Sequence, residues 1–195
     1  AEGCISDTTQ IFDAIRIFPS AEIRAITTIE NNPDTLSLSW QGENLHDFEN
    51  NWQIDYRLPD EPSFAPLLEV PYFTYDTTLT ELDPNTSSYY VKVSSTDYCN
   101  KPFETTEHRS IHLTGEKIQT GIDFTKIEWN NYEGWGSGVA GYELYTTPND
   151  NPLNTTAEDE QLPFSTVTEL TYTNELEYKV WYRIKGEELA GNEEG

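Results

Sequence analysis

The sequence predicts an all-β protein made of two tandem antiparallel β-sandwiches, and three observations carry that prediction. Apolar residues recur at every second position in a series of short runs. The same runs return 89 residues further on. No segment carries the 3.6-residue apolar period of an amphipathic helix, although the acidic run AEDEQ could form one helical turn. A length of 195 residues fits one large domain or two of about 100 residues each.

In order along the chain, TLSLSW places Leu36, Leu38 and Trp40 on one face. WQIDYRL does the same with Trp52, Ile54, Tyr56 and Leu58, and YYVKVSS with Tyr89, Val91 and Val93. RSIHL adds Ile111 and Leu113. Alternation over four to eight residues marks strands with one buried face, which antiparallel sheets show most cleanly. Between the runs lie turn formers: NNPD, LPDEP, LDPNTSS, NYEGWGSG and TPNDNP.

The pattern then restarts. TKIEW, with Ile127 and Trp129, echoes TLSLSW; VAGYELYT, with Tyr142, echoes WQIDYRL; EYKVWYRIK, with Tyr178, Val180, Tyr182 and Ile184, echoes YYVKVSS. Trp40 to Trp129 and Tyr89 to Tyr178 are both 89 residues, a period that fits about seven short strands per unit. The expected division is a lead-in over 1–21, a first sandwich over 22–115 and a second over 116–195, with the boundary near Leu113 to Ile118. Trp40, Trp52, Tyr89, Trp129, Tyr142 and Tyr178 are the expected core. After the strand from Tyr178 to Lys185 only GEELAGNEEG remains, too polar for a buried last strand. That strand is therefore expected beyond Gly195, with β-addition by a partner as the alternative.

Composition narrows function. With 35 acidic against 11 basic residues and a formal net charge of −24, the chain lacks the clustered cations that phosphate backbones or anionic membranes require. An aromatic content of 13% supplies too much rigid apolar surface for a disordered tail. No run of 18 apolar residues offers a membrane span, and the lack of Met and of a signal peptide reads as a piece of a longer processed polypeptide.

GWGSGVAGY contains the G-x-G-x-x-G spacing of a dinucleotide fingerprint in Gly136, Gly138 and Gly141. That motif must open a helix. Here the following VAGYELYT alternates as a strand, so the glycines are read as letting a loop turn tightly beside Tyr132 and Trp135. No G-x-S-x-G elbow occurs, and carboxylates are too numerous to single out a catalytic pair. No enzyme and no cofactor are expected. Weak calcium binding at Asp60-Glu61, Asp150 or Glu158 to Glu160 is the one metal reading, without any D-x-D-x-D-G loop to support it. His108 and His112, four apart in a strand-like run, are expected to share a face, and they read as two surface imidazoles rather than a metal pair. Cys4 and Cys99 would form one disulfide in a secreted protein or remain free thiols in cytosol. Tyr132, Trp135 and Trp181 are candidates for a sugar- or protein-binding platform, against the alternative that they cover the junction between the two sandwiches.

The first unit resembles a fibronectin type III module over most of residues 22–114. The resemblance rests on Trp40, on WQIDYR, and on LDPNTSSYYVKVSS, which is similar to L-x-P-x-T-x-Y-x-V-x-V. It implies a tyrosine corner, a Tyr hydroxyl tied to upstream backbone. One extra residue separates Thr86 from Tyr89, which leaves open whether Tyr89 or Tyr90 turns inward. A narrower resemblance covers about 45 residues, STDYCNKPFETTEHRSIHLTG followed by KIEWNNYEGWGSGVAGYELY. It looks like the module junctions of Bacteroidetes gliding-motility-associated surface proteins exported by the type IX secretion system. Asn100-Lys101 stands where Gly-Asn is usual there.

That resemblance implies an extracellular, non-enzymatic segment, a spacer and interaction surface linked to gliding motility or adhesion. Its expected partners are neighbouring modules, surface or secretion-machinery proteins, or glycans. The alternative is an accessory region of a secreted hydrolase whose catalytic domain lies outside this chain; a third reading is a subunit captured with the secretion machinery. The fold further implies a Cys4–Cys99 staple at one pole of the first sandwich, worth about 4–5 kcal/mol in the chain-entropy model. Thr8, Thr35 and Thr77, each after an Asp, resemble O-glycan acceptors of that phylum.

Overall fold

A computed structural model describes residues 20–29, 32–43, 50–97, 100–119, 123–147, 160–161, 169–173 and 181–188. Among them there is no helix, and all the strand pairings are antiparallel. Over the described residues the protein is all-β and antiparallel.

The first layer holds β1 (Ser20–Ile29), β2 (Asn32–Glu43) and β5 (Asp76–Leu79), in the order β1-β2-β5. The second holds β3 (Trp52–Arg57), β4 (Ala65–Val70), β6 (Tyr90–Thr96) and β7 (Pro102–Glu104), in the order β4-β3-β6-β7. The short β8 (His108–Arg109) also pairs with β6. The alternating residues meet between the layers. Ile23, Leu36, Leu38 and Trp40 come from one side and Trp52, Ile54, Val91 and Val93 from the other, none more than 3% exposed. Burying each such side chain contributes roughly 1.5–3 kcal/mol. Trp52 stands edge-on to Trp40 at 6.3 Å and to Phe103 at 5.8 Å.

The strand order then recurs. β9 (Leu113–Gln119), β10 (Asp123–Trp129) and β13 (Glu169–Thr173) form a sheet in the order β13-β10-β9. β11 (Val139–Thr147), β12 (Glu160–Gln161) and β14 (Trp181–Glu188) form another in the order β12-β11-β14. Ile127, Trp129 and Tyr142 make a second buried cluster, with the Trp129 and Tyr142 rings edge-on at 5.7 Å.

Local differences from the sequence reading have physical causes. RSIHL is not one strand: β8 stops at Arg109 and β9 starts at Leu113, and between them the Ser110 amide donates to the Tyr89 carbonyl at 2.9 Å while side chains add further bonds. The Ser110 hydroxyl accepts from the Tyr89 amide at 2.9 Å, and the Asn130 side chain accepts from the His112 amide and donates to the Ser110 carbonyl. β9 runs across the expected 115/116 boundary, and all its register partners are in β10. Glu160 and Gln161 of the acidic run pair as strand with Thr146 and Tyr145. The strand expected from Tyr178 is described from Trp181 onward.

Candidate functional site

The most elaborate polar constellation lies where the loop 130–138, between β10 and β11, meets the first sandwich. The chain reverses there on glycines, and Gly134 (φ +125°) and Gly138 (φ +84°) adopt a conformation that side-chain-bearing residues rarely take. A Cβ at Gly134 would lie 2.3 Å from ring carbons of His108, so only glycine lets the loop come this close. No helix follows Gly136, Gly138 and Gly141; β11 does, and Gly141 is buried within it.

His108 is 1% exposed, which corrects its reading as a surface imidazole. Its Nδ1 lies 2.8 Å from the Tyr132 hydroxyl, and the rings stand edge-on at 5.6 Å. His112 points elsewhere, its Nε2 bonding the Asn85 carbonyl at 3.1 Å. The two imidazoles do not share a face, and no pair exists there to hold a metal.

Glu133 extends the contact. Its carbonyl accepts from the Arg109 amide at 2.8 Å, a one-residue antiparallel bridge. Its carboxylate accepts from the Arg109 guanidinium at 2.9 Å and from the Tyr90 hydroxyl at 2.9 Å. Trp135 packs on Tyr132 with ring centroids 4.1 Å apart, and its indole N–H donates to the Arg24 carbonyl on β1 at 3.0 Å. Ile111 and Val139 pack against both buried clusters, so the apolar interior is continuous from one to the other.

A stacked row leads away from Glu133 across the sheet of β3 and β6. The guanidinium carbon of Arg109 lies 5.3 Å from the Tyr90 ring, that of Arg57 3.8 Å from the same ring and 5.2 Å from the Phe64 ring, and Lys92 Nζ 4.9 Å from Phe64. Carboxylates pair with each cation: Glu133 with Arg109, Glu107 with Arg57 and Glu104 with Lys92. Desolvation and the hydrogen bond to Glu133 raise the Tyr90 hydroxyl above the ordinary tyrosine value. Burial likewise raises Tyr142, whose hydroxyl accepts from the Tyr132 amide at 3.1 Å and donates to Asn131 at 3.0 Å.

The other expected residues are placed as follows. Trp40, Trp52, Tyr89, Trp129 and Tyr142 are all buried. The indole N–H groups of Trp40 and Trp129, at equivalent positions of β2 and β10, both lack a partner among the described residues. Tyr89, not Tyr90, turns inward; its hydroxyl donates to the Asp83 carbonyl at 3.2 Å, forming the tyrosine corner. Tyr132 is 5% exposed, so its ring faces the interior and is not open to an external ligand. Trp135 is half-buried beside it, and Trp181 opens β14 at a distance in sequence.

Thr35 is buried within β2, where its hydroxyl is closed to a glycan, a correction to its reading as an acceptor. Thr77 is half-buried on β5. Cys4, Thr8, Cys99, Asp150, Glu158, Asp159 and Tyr178 lie outside the described residues. Asn100 takes a left-handed φ of 57° in the turn closed by the Asn100 amide on the Asp97 carbonyl. That conformation suits Gly best and Asn next. Among the described residues no three His, Cys, Asp or Glu side chains are grouped to hold a metal ion. No described helix is long and apolar enough to cross a membrane.

Sequence reasoning missed Tyr72, Phe73 and Tyr75 on the loop after β4, the large apolar side chains most open to solvent among the described residues. Their signal was the run PYFTY, three aromatics without alternation among turn residues.

No family model matches the chain, and no curated protein does. Among solved structures it is similar to the crystal structure of chicken CNTN1 FN1–FN3 domains, at 12% sequence identity and a TM-score of 0.34. The match covers 86% of this chain and 62% of that one, so the chain spans less than two thirds of that structure's length.

Proposed function

We propose that this chain is a non-enzymatic extracellular spacer and interaction segment, made of two fibronectin type III-like modules. Its parent would be a bacterial cell-surface protein of the gliding-motility-associated, type IX-secreted kind. The observation that carries the reading is the docking of loop 130–138 on the first sandwich. Tyr132, Glu133 and Trp135 hold it there through packed rings, a charge-assisted hydrogen bond and a backbone bridge. A spacer needs a stiff joint of this kind, because a flexible one would not hold other domains at a fixed distance. The acidic surface favours solubility and extension of the whole. Its partners are neighbouring modules and surface molecules, and its work requires no cofactor.

The experiment is peptide mapping by mass spectrometry of the intact parent protein, combined with protease shaving of whole cells. Release of these peptides from intact cells, with further sandwich modules and a sorting domain downstream, is the expected result. A catalytic domain next to this segment would make it an accessory region of a secreted hydrolase. Retention of the peptides inside shaved cells would end the surface assignment.

A further inference from the structure

We infer that one end of the first sandwich, which carries both the aromatic loop 71–75 and a groove lined by amide and carboxylate side chains, binds a neutral oligosaccharide. The inference deepens the reading of this segment as an interaction surface and rests on it. Phe73 is 68% exposed, and Tyr72 and Tyr75 are 39% and 41% exposed. Exposed aromatics are ordinary singly, but three within four residues make a patch that calls for a partner. Tyr72 and Phe73 stand edge-on at 5.4 Å, each restraining the other's ring.

The groove, of about 650 Å³, opens at the same end of the β3–β6 sheet. That volume lies in the range of small-ligand clefts, roughly 300–1,000 Å³. Its walls include Asn50, Asn51, Gln53, Glu69 and Glu104, with Pro102 and Phe103 adding apolar surface. Asn51 donates to Glu69 at 2.6 Å, and Asn50 to the Thr96 carbonyl at 2.8 Å, so the polar side chains are held in place. Both features are braced by one fully buried side chain, Trp52. Its indole N–H donates to the Tyr72 carbonyl at 2.9 Å, and its ring meets Phe103. The Trp40 amide adds a second anchor by donating to the Tyr75 carbonyl at 2.9 Å.

The chemistry selects the ligand class. Amides both donate and accept, and carboxylates accept strongly, as the hydroxyls of a sugar require. Aromatic faces complement the apolar faces of pyranose rings. A phosphate, sulfate or uronate is disfavoured, because Glu69 and Glu104 line the groove and the nearby Lys92 is engaged by Glu104 at 2.7 Å. A lipid surface is disfavoured by Glu69 and Glu104 in the groove and by the net charge of −24.

The test is titration calorimetry and saturation-transfer NMR on the full 195-residue chain. The probes are cellohexaose, xylohexaose, mannohexaose, maltohexaose and N-acetylchitohexaose. At least one should bind one-to-one with a Kd below about 1 mM. Phe73→Ala should weaken that binding about tenfold or more without moving the melting temperature, and Asn51→Ala should weaken it severalfold. Absence of binding by every probe at millimolar concentration overturns the inference. So does affinity that survives in the Phe73→Ala, Asn51→Ala double variant, preference for a sulfated over a neutral hexasaccharide, or Phe73-dependent capture of an oligolysine peptide in place of sugars. None of these results bears on where the segment is displayed, which the shaving experiment decides separately.

Discussion

The Tyr132 hydroxyl and His108 Nδ1 stand 2.8 Å apart, buried, one on the loop after β10 and the other on β8. The bond joins an element of the first sandwich to the loop that leads into β11, inside apolar surroundings where a polar contact matters most. Tyr132→Phe keeps the ring and deletes this bond. The expected loss is about 1–2 kcal/mol of unfolding free energy, read as a lower urea midpoint at unchanged slope. A variant as stable as the parent would show that the hydroxyl contributes nothing at this joint.

Gly134 is the residue on which that approach depends. At φ +125° a side chain costs of order 1–3 kcal/mol in backbone strain, and a Cβ 2.3 Å from the His108 ring adds overpacking. Gly134→Ala should therefore destabilise by about 2–5 kcal/mol, well beyond an ordinary surface substitution. Combining it with His108→Ala should relieve the steric part but not the strain, so the double variant should lose less than the sum of the singles. Strict additivity in denaturant melts would mean that the His108 contact is not the source of the cost.

The tyrosine corner gives a second, independent test. The Tyr89 hydroxyl donates to the Asp83 carbonyl at 3.2 Å and lies 3.3 Å from the Thr86 hydroxyl, securing the approach to β6. Tyr89→Phe should cost about 1 kcal/mol and lower the melting midpoint by roughly 2–4 °C. Tyr90→Phe removes the Glu133 bond at a more exposed position and should cost less. Equal effects at the two positions would contradict the assignment of Tyr89 as the inward residue.

The strands were readable where one face is buried against the opposite layer. Leu36, Leu38, Trp40, Val91 and Val93 alternate in sequence because they alternate across a sheet. β4 gave no such signal: Ala65 to Val70 is an edge strand, largely half-exposed, so nothing forces its residues into alternation. His108 was misread for a different reason. Its burial depends on Tyr132 and Gly134, 24 and 26 positions later, and no local pattern reports a partner at that distance. The exposed loop 71–75 lacks periodicity altogether, and only its aromatic composition set it apart.

Alkaline pH should loosen the joint through its tyrosines. Burial raises the Tyr142 hydroxyl above the ordinary value of 10.0, and Tyr90 is raised by desolvation and by its bond to Glu133. A raised folded-state value means that the neutral form is favoured in the native protein, so the unfolded chain releases these protons first. The native state then holds more protons than the unfolded one, and stability falls as pH rises. The contribution is complete below pH 10.0 and is lost as pH climbs through the raised folded-state values. Urea melts between about pH 8 and 11.5 should show a decline that steepens above about pH 10. Tyr142→Phe removes one titrating group and should flatten that decline, while ultraviolet absorbance of tyrosinate should show late-ionising tyrosines only in the native protein. A decline unchanged in both Tyr142→Phe and Tyr90→Phe would assign alkaline sensitivity to the general repulsion of a chain carrying a charge of −24 instead.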